Sequence, residues 1–373
     1  MSNPTTLLPT RRPRGAARAD VAQMTRSFTE LAHDVRDKGL NDRTPWFYLA
    51  IGAGLVVALA GAVAGMVLLG GSWYQLLIAG ALGVIFTQFA FLGHEAAHRQ
   101  VLRTGPANDR LGRVVANFFV GMSYSWWMTK HTRHHGNPNR IGHDPDILPG
   151  ALAYRVEDVP RTGALSWINR HQGWLFFPLL PLLGIDLHRA SLGTLLGRRK
   201  VEGRAWELVL MAVRFTVYFG LVFWLMPPGM AFAFLGVQMA VFGAYLGITF
   251  SPNHIGRRIV PADVRLSFLD KQVLTSRNIS GGFWMTVLMG GLNYQIEHHL
   301  FPKVCSVHYP EIRPIVQDAA RKHGIPYNEA PTLWAAIRSH YRTLKKFGSG
   351  YREAGTVPTS AARVPEPMAA ASL

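Results

Sequence analysis

The sequence predicts an all-α membrane protein: four transmembrane helices arranged as two hairpins, with a cytoplasmic helical cap that holds a histidine-rich metal site. Three observations predict it. Long apolar runs come in pairs separated by short breaks. Basic residues gather between the pairs and leave the hairpin tips free of charge. Histidine clusters stand where the apolar runs end. The chain has 373 residues, 49% of them hydrophobic, and 39 Lys+Arg against 22 Asp+Glu give a formal charge of +17. Such basicity suits nucleic acid or an anionic membrane surface. The apolar runs and the lack of a nucleic-acid recognition motif decide for the membrane.

Residues 1–44 form a basic tail holding Arg11, Arg12, Arg14, Arg18, Arg26, Arg36, Lys38 and Arg43. Its first twenty residues, rich in Pro, Arg and Ala, are expected to be weakly ordered. Trp46 to Gly70 carries no charge and is long enough to span a bilayer, which takes about 20 residues. Trp73 to Gly93 is a second such run, and only Gly71-Ser72 lies between them, so the pair reads as a tight hairpin. Ala205 to Met226 and Met230 to Phe250 make the second pair, turned at Pro227-Pro228-Gly229. The first apolar run begins too far into the chain for a secretory signal, so the first span is expected to direct membrane insertion.

Orientation follows from Lys and Arg. The tail and the central segment with Arg189, Arg198, Arg199, Lys200 and Arg204 are placed in the cytoplasm, as is the C-terminal region. The tips then face outward across the inner (plasma) membrane. Leu111 to Met128 reads as an interfacial amphipathic helix. Trp167 to Ile185, with Pro178 and Pro181, and Gly281 to Leu292, with four glycines, read as interfacial or re-entrant pieces rather than spans. The membrane domain is thus expected over 45–305, a helical cap over 306–348 and a disordered Ala/Pro/Ser-rich tail over 349–373. Cys305 is the only cysteine, which excludes an intrachain disulfide and a thiolate metal site.

This topology puts every histidine cluster on one side at similar depth. His94-Glu-Ala-Ala-His98 ends the second span, His254 ends the fourth, His131-Thr-Arg-His134-His135 follows the interfacial helix, and Gln295-Ile-Glu-His298-His299 lies beyond the fourth span. Offsets of three and four place such residues on one helix face. Imidazole is a strong ligand for first-row transition metals. The eight clustered imidazoles exceed the needs of one ion, and two irons with open positions for O2 fit the number. Metal-bound histidine commonly donates its second N–H to a carboxylate. Glu95, Asp144, Asp146 and Glu297 are the acids near enough in sequence to serve. Arg214 lies inside the third span, where a charge is costly, and Glu207 is the expected partner.

The pattern HX3H, HX2HH and QX2HH, with four spans between, resembles the membrane fatty acid desaturase family over residues 45–325. The stretches Asn293-Tyr-Gln-Ile-Glu-His-His-Leu-Phe-Pro302 and His134-His135-Gly-Asn-Pro-Asn139, continuing to Asp144-Pro-Asp146, are similar to the front-end and related acyl-CoA desaturase branch. Asn253-His254 matches that family's additional histidine ligand. The resemblance implies two iron ions as cofactor, O2 as co-substrate and a fatty acyl chain, as acyl-CoA or acyl-lipid, gaining a cis double bond. It implies His94, His98, His131, His134, His135, His254, His298 and His299 as iron ligands, with Gln295 as a weaker or water-mediated one. No His-Pro-Gly-Gly motif of a fused cytochrome b5 occurs in the chain. A separate donor, a ferredoxin with its reductase, is therefore expected.

Two rival readings compete. A membrane di-iron hydroxylase or ketolase of alkanes or carotenoids would use similar clusters. His94-Glu95-Ala-Ala-His98 is also H-E-x-x-H, the pattern of a zinc protease with Glu95 as general base. That reading leaves the other clusters without a role.

Overall fold

The computed structural model describes residues 14–350, which are almost wholly helical. The first three helices are α1 (Arg14–Asp37), α2 (Pro45–Leu69) and α3 (Gln75–Ala97). α2 opens on proline, which has no N–H to leave unpaired in a first turn. It ends at Gly70 with φ +48°, a backbone conformation that suits a residue without Cβ. At the start of α3, buried Gln75 donates to the carbonyls of Met66 (2.7 Å) and Gly70 (2.9 Å). The Met66 carbonyl also accepts the Gly70 N–H at 3.2 Å, so the amide adds a second donor there and gives the Gly70 carbonyl a partner that lipid would not.

α4 (Gly105–Arg113) runs directly into a π-helix over Val114–Val120, which stops at Gly121 (φ +90°). α5 (Tyr124–Gly136) starts afresh, with the Ser123 hydroxyl accepting from the Trp126 N–H at 3.1 Å. The single amphipathic helix expected over Leu111–Met128 is therefore corrected to two helices that meet at a left-handed glycine and a serine cap.

α6 (Ala164–Arg170) and α7 (Gln172–Leu196) precede α8 (Arg204–Leu225) and α9 (Pro228–His254). Five helices are long and apolar enough to cross a membrane: α2, α3, α7, α8 and α9. The expected four are among them. The fifth, α7, includes the stretch read from the sequence as interfacial or re-entrant. Pro178 and Pro181 lie inside α7 without ending it. Packing holds it together, because α7 and α9 cross where each presents glycine. A Cβ on Gly184 would lie 2.9 Å from the Met239 carbonyl oxygen, and one on Gly243 would lie 2.6 Å from the Gly184 nitrogen. Such close backbone approach is how small residues drive helix association in lipid. α7 differs from the other four in exposing an ion pair, Asp186–Arg189 at 2.8 Å. α3 and α9 also cross on a glycine, Gly83, whose Cβ would lie 2.9 Å from the Gln238 carbonyl. α3 and α9 thereby bring His94 and His254 to the same end of the bundle.

Beyond α9 the chain forms α10 (Phe268–Thr275), β1 (Asn278–Ile279), α11 (Gly282–Leu288), α12 (Gln295–Leu300), α13 (Tyr309–Lys322), β2 (Glu329–Ala330) and α14 (Leu333–Gly348). β1 and β2 form one two-residue parallel pair. α11 exposes Phe283 and Trp284, and its Val287 and Leu288 carbonyls accept from Gln88 of α3 (3.2 Å) and the Tyr245 hydroxyl of α9 (2.5 Å). The Gly281–Leu292 stretch is thus packed on two long helices. A second core joins Leu269, Val273, Ile296, Leu300, Ile312 and Val316. Leu31 and Val35 of α1 belong to it, so the later part of the basic N-terminal segment is packed structure rather than a loose tail. The expectations of weak order fall mostly outside the described residues: 1–13 and 351–373 lie beyond them.

Candidate metal centre

Four elements deliver the histidines. His94 and His98 come from the C-terminal end of α3, and His131, His134 and His135 from α5. His254 ends α9, and Gln295, His298 and His299 lie on α12. They form two groups. In the first, one ligand-type atom each of His94, His98, His131, His135 and His298 lie within 4.8 Å of one another, and in the second those of His134, His254 and His299 do so. The stacked rings of His135 and His299, 4.2 Å apart and 9° from parallel, join the groups. The structure thus brings together the eight histidines that the sequence singled out.

The ring nitrogens test whether a metal fits. His131 Nε2 lies 3.1 Å from His94 Nε2 and 2.8 Å from His98 Nε2, while His298 Nε2 lies 3.1 Å from His135 Nε2. In the second group, His134 Nε2 and His254 Nε2 are 3.3 Å apart, and His299 Nε2 is buried without a hydrogen-bond partner among the described residues. Facing imidazole nitrogens share at most one proton, so several lone pairs converge with no donor to meet them. A cation satisfies that arrangement and a proton network does not. Burial lowers the His98 pKa to about 3 and pushes those of His131, His135, His298 and His299 well down, keeping these rings neutral as ligands must be. His134 is the exception. Burial alone would lower its pKa, but Asp146 and Asp144 outweigh burial and raise it.

The acids divide. Asp144 and Asp146 lie beside a clustered imidazole: their carboxylates are 3.0 Å and 3.2 Å from His134 Nδ1. Asp144 also accepts from the backbone N–H groups of Asn139 (2.6 Å) and Asp146 (2.9 Å), so it is fully enclosed. Glu95 and Glu297 are corrected, for neither touches a clustered histidine among the described residues. Glu95 is buried and hydrogen-bonded to Ser306. Glu297 accepts from Asn278 Nδ2 (2.6 Å) and the Tyr327 hydroxyl (2.7 Å). Asn278 Oδ1 in turn receives the Ile296 N–H at 2.9 Å, so this network anchors α12 rather than an imidazole. Burial raises the Glu297 pKa to about 7, partly offset by those two donors.

Gln295 stands at the second group, its amide nitrogen 2.9 Å from His254 Nε2 and its Oε1 accepting from Asn253. The sequence reading missed Gln272, the Thr275 carbonyl and the Tyr309 hydroxyl, which meet the outward nitrogens of His299 (3.0 Å), His254 (3.0 Å) and His298 (3.3 Å). It also missed Trp127, stacked on His131 at 4.1 Å. Arg214 is a correction too. Glu207 accepts from Ser123 and Ser125, tying α8 to the start of α5. Arg214 instead sits over the rings of Tyr218 (4.1 Å) and Phe86 (4.4 Å).

A cavity of about 510 Å³ leads to the histidines. His94, His131, His134 and His254 lie on its wall together with Leu180, Leu183, Leu246, Phe250 and Trp127. The site therefore joins a histidine cluster that could hold metal to a cavity with mostly aromatic and aliphatic walls, which Lys130, Asp146 and Asp186 also line.

Comparison with known proteins decides the family. The profile described as "Fatty acid desaturase" matches residues 71–331. The chain belongs to the fatty acid desaturase family. It is 28% identical over 348 residues to the Delta(8)-fatty-acid desaturase 2 of Arabidopsis thaliana, covering 90% of this chain and 77% of that one. It is also 28% identical over 340 residues to the acyl-lipid (9-3)-desaturase of Borago officinalis, covering 87% and 75%. A Delta(5) fatty acid desaturase of Caenorhabditis elegans is 28% identical over 320 residues, covering 82% and 70%. The chain is accordingly a fatty acyl desaturase and an oxidoreductase of lipid metabolism. The alkane or carotenoid and protease readings fall behind it. A protease would also need Glu95 beside its metal, and Glu95 faces Ser306.

Proposed function

We propose that this desaturase inserts a cis double bond into a fatty acyl chain at two irons held by His94, His98, His131, His135 and His298 and by His134, His254 and His299. One observation carries the reading: eight imidazoles gather in two groups, and His94, His131, His134 and His254 among them line a largely apolar cavity. Bound iron would supply the oxidation, in which O2, two electrons and two protons enter and two waters leave as two hydrogens depart from adjacent methylenes. The chain's own residues do the rest. Leu180, Leu183, Leu246 and Phe250 line a path for the acyl chain, Trp127 screens His131, and Asp144 fixes the His134 ring. Gln295, beside His254, serves as a weak or water-mediated ligand of the group with fewer imidazoles.

The substrate is an acyl-lipid or acyl-CoA, and the word "acyl-lipid" in the name of the borage relative speaks for the former. The basic segments and uncharged tips support a cytoplasmic active site in the inner membrane, with both termini on that side. Electrons come from a separate donor, a ferredoxin with its reductase, which the basic cytoplasmic surface would steer. The deciding experiment is expression in a host lacking the product, with ferredoxin and reductase supplied, followed by mass spectrometry of the lipids. A new O2-dependent cis double bond and two irons per chain are expected. An added oxygen atom in place of the double bond, or purified protein free of iron, overturns the reading.

A further inference from the structure

α10 bears no histidine, yet it meets two of the three histidines of the second group, His299 and His254. Gln272 is fully buried. Its Nε2 donates to the His135 carbonyl at 3.0 Å and its Oε1 lies 3.0 Å from His299 Nδ1. The neighbouring Lys271 donates to the Gly136 carbonyl at 2.5 Å. One turn on, the Thr275 carbonyl lies 3.0 Å from His254 Nδ1.

These contacts fix proton positions. A backbone carbonyl only accepts, so the end of the Gln272 amide that faces His135 is its NH2. The other end is then the oxygen, which requires a hydrogen on His299 Nδ1. That leaves a lone pair on His299 Nε2, the buried atom with no partner. The same logic applies to His254, whose Nδ1 faces a carbonyl and must carry hydrogen, leaving on its Nε2 a lone pair that faces His134 and the Gln295 amide nitrogen. Asp144 does the equivalent for His134. In the five-histidine group, by contrast, His298 has the Tyr309 hydroxyl at 3.3 Å, and His135 Nδ1 has no partner among the described residues.

We propose that α10 is the positioning element of the three-histidine group, and that Gln272 holds His299 in the tautomer and orientation that bind the second metal ion. This rests on the ligand reading above and adds that the two metal positions depend on different outer residues. Gln272 touches no metal position itself. Its effect passes through His299, and it should govern occupancy of one position while sparing the other. Outer partners of metal-bound histidine are worth about 10–100-fold in affinity.

The test is Fe(II) titration of the purified metal-free full chain, with iron per chain and ⁵⁷Fe Mössbauer spectra as readouts. Gln272→Met keeps the length of the side chain and removes its polar atoms. It should bind the first equivalent as the unaltered protein does and the second about 10–100-fold more weakly. Its spectrum should be that of isolated rather than coupled iron. Gln272→Glu keeps an oxygen facing His299 Nδ1 and should recover most of the second equivalent. Lys271→Met, on the same helix but touching no imidazole, serves as the packing control and should load two. Unchanged second-site affinity in Gln272→Met overturns the proposal, and so does a loss in Gln272→Glu as deep as in Gln272→Met. Failure of the unaltered protein to bind two irons would instead overturn the ligand reading, so the two failures are distinguishable. Should Gln272→Met not fold, loss of the second equivalent in Gln272→Glu while Lys271→Met loads two overturns the proposal.

Discussion

The two histidine groups are built by opposite means. The five-histidine group is rich in imidazoles and sparing in outer contacts. The three-histidine group has fewer imidazoles but a surround of Asp144, Asp146, Gln272 and the Thr275 carbonyl, with Gln295 alongside. The difference teaches that ligand number and ligand orientation substitute for one another. Five rings pointed at one place leave little to be arranged, whereas three rings must each be held to the right tautomer. Removing an imidazole should therefore disable either group, but removing an outer residue should discriminate between them.

The largest effect comes from the imidazoles. His298→Ala and His134→Ala should each reduce double-bond formation by about 100-fold or more, since a direct ligand outweighs the 10–100-fold of an outer partner. Membrane insertion should persist. Product analysis of membranes with matched protein levels measures this, and full activity in either variant would refute the assignment. Next, Asp144→Asn keeps the shape but leaves an amide where a carboxylate accepted from His134. It should lower activity about 10–100-fold and release iron from the second position first. Equal loss from both positions would erase the distinction between the groups.

Gln295 sharpens the comparison from the other side. Placed at the imidazole-poor group, Gln295→His offers a stronger donor near the position of the amide, while Gln295→Ala offers none. Retention of more activity and iron by Gln295→His than by Gln295→Ala is the expected outcome. Equal loss in both would mean that Gln295 acts through shape and through its bond from Asn253 (2.9 Å) alone.

Much of this was legible in the sequence. Spacings of three and four placed the imidazoles on common faces, and the lengths of α2, α3, α8 and α9 placed their ends together. Other features depended on contacts that no local pattern encodes. α7 looked broken because Pro178 and Pro181 normally interrupt a helix, and only the glycine crossing with α9 shows why it continues. Gln272 stands in an unremarkable helix, and nothing near it in sequence signals His299. Glu95 and Glu297 misled because neighbours in sequence point about 100° apart around a helix, so adjacency to a ligand does not bring a side chain against it. Arg214 lacks its expected Glu207 because two hydroxyls took that carboxylate and two aromatic faces took the guanidinium.

The smallest predicted effect tests that last distinction among the acids. Glu95 lies beside His94 in sequence but faces Ser306, and Glu297 lies beside His298 but faces Asn278 and Tyr327. Glu95→Gln and Glu297→Gln keep size and most hydrogen bonding, so both should retain most of the desaturase activity and both irons. The cost should appear as a modest loss of thermal stability, on the order of 1 kcal/mol for weakening one buried hydrogen-bonded group. Asp144→Asn, the same change of chemistry made where the carboxylate does meet an imidazole, should cost far more activity. If Glu95→Gln lost activity as Asp144→Asn does, sequence adjacency rather than contact would have identified the acids that matter. The division between the two groups would then need a different physical basis.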